Sequence, residues 1–158
     1  EISLTSFQDF VMINAVSYMM KEVTTVMLGA QAMLSNGTVK GRVGTAMVCM
    51  TAKSFHKPVL VCCETYKFSD KSQLDSITRN EISDPEELTI PDREDILQKF
   101  IKSGLYANNQ YANGASVLNL TYDVTPGEWV DVVVTEVGLL PCTSVPVVLR
   151  EFFTQNNA

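Results

Sequence analysis

The chain has 158 residues, 46% of them hydrophobic, which is enough for one domain with a real core. Its formal net charge of −6 argues against a general nucleic-acid surface and against an anionic membrane as partner, since both favour basic proteins. No apolar run reaches transmembrane length, and no signal-peptide pattern opens the sequence.

Phe10–Ile13 is a short apolar run and is predicted as a strand. Ala15–Val23 reads as a short helix, with Val16, Met19, Met20 and Val23 at helical spacing. Val26–Leu28 suits a buried strand, ended by Gly29-Ala30. Asn36-Gly37 is a turn signal, because both residues tolerate a left-handed backbone. Thr38 is then expected to cap a helix, with Val39, Val43, Met47 and Met50 on one apolar face. That placement puts Lys40 and Arg42 in the first turn, where cations oppose the helix dipole. Either they hold an anion or they are solvated side chains, and spacing alone favours the second. The helix should stop near His56, since Pro58 disfavours helix at Lys57.

Val59–Cys63 is a continuous apolar run, as in a strand covered on both faces. Tyr66, Lys67 and Phe68 follow it and either line a cleft at the strand's carboxyl end or serve as packing or partner contacts. Ser72–Arg79 is predicted as a helix and the acidic, proline-marked Ile82–Pro91 as a surface loop. Asp92 can cap a helix through Lys102, and Asn108–Ser116 reads as a mobile loop. Val117–Tyr122 is the next strand. Thr125, Pro126 and Glu128 form a capping box that should start a helix, with Trp129, Val130, Val133, Val134 and Val137 on its broad face. Val145–Leu149 is predicted as the last strand, and Gln155–Ala158 as a frayed tail. The alternation of strands and helices predicts an α/β fold with an open, mostly parallel Rossmann-like sheet and helices on both faces.

Four cysteines occur, Cys49, Cys62, Cys63 and Cys142, without Cys-x-x-Cys spacing and beside a single histidine, His56. That arithmetic argues against a zinc site and against a disulfide framework, so all four are read as reduced and mostly buried. His56 is expected to complement a helix end rather than to catalyse. No Ser-His-Asp arrangement, phosphate-binding loop or dinucleotide fingerprint is evident.

Five blocks carry a resemblance. LGAQAMLSNGTVKGRVGTA (28–46), PVLVCCETYKF (58–68), YDVTP (122–126), LPCTSVPVVLR (140–150) and INAVSYM (13–19) are similar to the regulatory subunits of eukaryotic translation initiation factor 2B. The resemblance implies a single carboxyl-terminal α/β domain over residues 1–158, a fragment of a longer subunit that lacks its first strand-helix unit. Residues 82–116 depart from the family pattern and are expected to be a variable insertion. The superfamily also contains sugar-phosphate isomerases acting on methylthioribose 1-phosphate and ribose 1,5-bisphosphate. In those enzymes the residue after Gly-Ala is a catalytic aspartate, and here it is Gln31, whose amide cannot exchange a proton as a carboxylate does. Their catalytic cysteine would lie upstream, so Cys62 and Cys63 are not its equivalent.

The resemblance places Lys40 and Arg42 near where relatives hold a sugar phosphate, with Thr38 and Gly41 replacing an aspartate and an asparagine. Gln31, Asn36, Gly37, Thr38, Lys40 and Arg42 are therefore expected to form at most a vestigial anion site. No catalytic residue, metal or cofactor is expected. Family membership implies a non-catalytic, cytoplasmic regulatory subunit of the guanine nucleotide exchange factor for initiation factor 2. The implied partners are the other factor 2B subunits, the beta subunit especially, and the alpha subunit of factor 2, whose phosphorylated form it would sense. The alternatives are a sugar-phosphate isomerase and a sugar-phosphate or nucleotide-binding module. Trp129, Val133, Leu139, Leu140 and Pro141 are expected to form a partner surface, and the isolated chain is expected to self-associate.

Overall fold

A computed structural model describes residues 9–84 and 118–155. The helix expected over 92–102, the loop over 108–116 and the last three residues of the expected tail lie outside them. So does most of the expected insertion.

Two sheets share one core. The first contains β1 (Val26–Gly29), β4 (Val59–Cys62), β7 (Val132–Thr135) and β8 (Gly138–Leu140), in that spatial order. β1 and β4 run parallel, with Val26 beside Val59 and Gly29 beside Cys62. β4 and β7 are also parallel, and β8 closes the edge antiparallel to β7. The continuous apolar runs thus pair in a parallel sheet, but they alternate buried and more open residues, with Met27 and Cys62 exposed, so the second face is not fully covered as the sequence suggested. The second sheet has the order β5-β2-β3-β6, from β5 (Phe68–Ser69), β2 (Ala32–Leu34), β3 (Val39–Arg42) and β6 (Tyr122–Thr125). Its β2-β3 and β3-β6 pairs are antiparallel.

Helices α1 (Val16–Met19), α2 (Thr45–Ser54) and α3 (Val145–Gln155) complete the fold. Val59, Val61 and Val133 from the first sheet meet Met33 and Val39 from the second, Cys49 and Ala52 of α2, and Val145 of α3 in one buried cluster. Burying these side chains supplies the main driving force, about 1.5–3 kcal/mol for each large one. Fold class is thus α/β as the sequence indicated, built around the parallel β1-β4-β7 core.

Several elements differ from expectation, each for a local reason. Phe10–Ile13 is no strand; the chain enters a 3-10 turn at Ile13–Ala15, and Ile13 packs over Gly44. Asn36-Gly37 does not precede a helix. It closes a β2-β3 hairpin in which the Gly37 amide donates to the Leu34 carbonyl (2.9 Å) and the Leu34 amide to the Thr38 carbonyl (2.9 Å). Gly37 takes φ +79°, as a three-residue hairpin loop demands. Val39 and Gly41 then face inward while Lys40 and Arg42 face outward, a period of two rather than 3.6. α2 starts only at Thr45, after Gly44.

Ser72–Arg79 forms no helix, because the Asp75 carboxylate accepts from the Ile77 and Thr78 amides, both at 2.7 Å, and so competes with helical bonding. The strand expected at Val117–Tyr122 begins at Tyr122. The helix expected after Thr125 is absent: Pro126 is extended (ψ 137°), Gly127–Trp129 make one 3-10 turn, and Val132–Thr135 form β7. Four β-branched residues in a row fit a pleated, buried surface better than a helix. Val145–Leu149 is helical rather than extended, with Pro146 tolerated in the first turn and Val145, Val148 and Leu149 turned to the core.

Candidate functional site

The residues expected to hold an anion lie around the β2-β3 hairpin. Asn36 donates from Nδ2 to the Gln73 carbonyl (2.9 Å), and the Thr38 hydroxyl donates to Asn36 Oδ1 (2.9 Å). These side chains therefore staple the hairpin to the following loop. Gly37 is equally committed, since a Cβ there would come within 3.2 Å of the Cys142 carbonyl. Gln31 sits in the two-residue junction between β1 and β2, exposed, with its backbone N–H donating to the Lys40 carbonyl (2.8 Å). Lys40 and Arg42 share the outer face of β3 and both approach the ring of Tyr122, at 4.8 Å and 5.9 Å from its centroid. The structure thus brings Lys40 and Arg42 together on one face of β3, links Gln31 to Lys40 through the backbone, and turns Asn36 and Thr38 toward the following loop.

The start of α2 already has its own anion. Asp123 Oδ2 accepts from the Gly44 amide (2.7 Å) and the Ala46 amide (2.9 Å), in the place where a helix amino terminus attracts negative charge. Asp123 is buried on the inner face of β6. Burial pushes its carboxyl above the usual range, and the two amides oppose that rise without cancelling it. Sequence reasoning missed this residue, although a single carboxylate inside the strand-prone run Thr121–Thr125 was its available signal.

A second polar group gathers at the carboxyl ends of β4 and β7. Glu136 accepts from the Thr65 amide and hydroxyl, which ties the two strand ends together. That hydrogen bond holds Glu136 below the ordinary carboxylate value. Lys67 pairs with Glu64 at 2.7 Å, which lowers Glu64 and raises Lys67. Tyr66 is 78% exposed beside them, whereas Phe68 enters the core. This is the end of an open α/β sheet where ligands commonly bind. His56 lies elsewhere, before the amino end of β4, in a left-handed conformation (φ 54°) just past the end of α2. No group of three or more His, Cys, Asp or Glu side chains among the described residues could hold a metal.

Cys49, Cys63 and Cys142 are buried and free, their thiols pushed up to about 11 mainly by burial, so none is a ready nucleophile. Cys62 is free but exposed. Of the expected partner surface, Val133 is wholly buried, and Trp129 and Leu140 pack partly against the core. Leu139 and Pro141 remain exposed.

Residues 8–142 match the Initiation factor 2 subunit family. The chain is 47% identical over 143 residues to the translation initiation factor eIF2B subunit delta of Dictyostelium discoideum, covering 90% of this chain and 22% of that protein. It is 33% identical over 144 residues to a ribose 1,5-bisphosphate isomerase of Pyrococcus furiosus, covering 91% of this chain and 40% of the enzyme. It therefore spans less than half the length of either relative. Among solved structures, the eIF-2B subunit delta from A. fulgidus superposes with a TM-score of 0.64 at 22% identity, over 89% of this chain and 38% of that one. At that identity the superposition speaks to the fold, and it agrees with the two-sheet α/β architecture. With the matched segment running from before α1 to Cys142, the chain belongs to the Initiation factor 2 subunit family.

Proposed function

We propose that this chain is the carboxyl-terminal, non-catalytic part of a delta-type regulatory subunit of initiation factor 2B. One observation carries the reading: identity to a delta subunit is 47% over 90% of the chain, against 33% to an isomerase over the same span. Gln31 supports it, because the amide at the β1-β2 junction cannot act as general acid or base there. On this reading the chain works in the cytoplasm by joining other factor 2B subunits, a beta subunit first among them. It takes part in sensing the phosphorylated alpha subunit of initiation factor 2, and the 82–116 stretch is an insertion within the single domain. The test is co-expression of the full-length protein with a beta subunit, followed by affinity purification. Stable co-purification is expected, and its absence would refute the assembly role.

The isomerase kinship gives a second reading, sugar-phosphate binding at Gln31, Lys40 and Arg42. Calorimetric titration with ribose 1,5-bisphosphate tests it. Tight binding lost in Arg42→Ala would favour this reading over the first.

A further inference from the structure

We propose that the outer face of the second sheet, at Lys40, Arg42 and Tyr122, is a docking surface for an acidic, extended segment of a partner protein. The idea rests on the reading of the chain as an assembly domain, and it names a surface which that reading does not. Lys40 Nζ and Arg42 Cζ stand 4.8 Å and 5.9 Å from the centroid of one aromatic ring. Lys53 and Lys67, by contrast, each meet a carboxylate, Asp131 at 3.6 Å and Glu64 at 2.7 Å. Among the described residues, Lys40 and Arg42 have no such partner, on a chain whose net charge is −6. Two cations that share one aromatic ring and show no carboxylate partner among the described residues lie on one face of an acidic molecule, and complementarity points to an acidic occupant.

The spacing favours an extended peptide. Alternate residues on a strand are about 7 Å apart along it, which equals the spacing of carboxylates two residues apart in another extended chain. The backbone beneath is rigid: Arg42 pairs with Tyr122 and Lys40 with Val124, and a Cβ on Gly41 would meet Thr45 Oγ1 at 2.8 Å. The Tyr122 ring, which both cations approach, gives the peptide an apolar surface beside them. A small phosphate fits less well, because it needs converging amides, and those at the start of α2 already bind the negative Asp123.

The test is calorimetric titration of the full chain with a synthetic peptide of alternating glutamate and alanine. Inorganic phosphate and an oligouridine are run as alternatives. Saturable peptide binding is expected, weakened by salt and reduced about tenfold in the Lys40→Ala/Arg42→Ala variant. Tyr122→Leu should also weaken it, and circular dichroism must show both variants folded. Peptide binding unchanged in the double variant, or preferential binding of phosphate or oligouridine, would overturn the proposal. So would a parent chain that binds no peptide. That failure leaves the assembly role intact, since co-purification with a beta subunit measures it separately.

Discussion

Asp123 holds the first turn of α2 through two backbone amides, so removing its carboxylate leaves both donors buried without it. Asp123→Ala should lower stability by about 1–3 kcal/mol, measured by urea unfolding. Asp123→Asn keeps an acceptor oxygen and should cost less. The pH dependence follows from the raised carboxyl of Asp123. A raised folded value means that this group favours the folded state most when protonated, and that the benefit is lost as pH rises through the folded value. The Asn variant should therefore gain on the parent as pH rises from the ordinary carboxylate value through the raised folded one, and a constant difference would contradict this. His56 offers the opposite case. The His56 amide donates to the Lys53 carbonyl and the Lys57 amide to the Ala52 carbonyl, closing α2 with a left-handed non-glycine residue. His56→Gly removes the Cβ strain and should stabilise the fold by roughly 1 kcal/mol.

At the level of elements, the parallel core was legible because Val26–Leu28 and Val59–Cys62 are short apolar runs with clear ends. The turn at Asn36-Gly37 was legible too, but its partner was not. Nothing local distinguishes Val39–Arg42 as strand from helix, and pairing with Tyr122–Thr125, some eighty residues onward, decides it. The capping box at Thr125 misled for a related reason. Thr125 is wholly buried on the inner face of β6, so sheet pairing overrode a strong local signal. Of the site, the outward cations could be named from sequence, but the Asp123 cap and the Thr65–Glu136 link join residues more than seventy positions apart. That second link has its own pH signature. Glu136 is held below its ordinary value of 4.5 by Thr65, so its contribution is present above that value and lost as pH falls through the lowered one. Glu136→Gln should flatten the acid side of the stability profile, read by denaturant midpoints at a series of pH values.

Across the whole molecule, apolar side chains remain on the outside in a pattern that an isolated monomer does not explain. Val43, Met47 and Met50 form an exposed stripe at helical spacing around α2, and Met27 and Leu139 lie exposed on the two edge strands of the first sheet. The isolated chain should accordingly self-associate, with sedimentation coefficients that rise with concentration; a strictly monomeric chain would contradict this. The full-length protein should show no turnover of ribose 1,5-bisphosphate, and turnover abolished by changing Gln31 would overturn its non-enzymatic reading. Finally, only Ala30 and Gln31 separate β1 in one sheet from β2 in the other, and the chain crosses between the sheets again after β3, β4 and β6. Neither sheet can melt while its neighbour persists. Slowly exchanging amides in both should therefore open together, as one cooperative unit with a single free energy, and not as two layers that breathe independently.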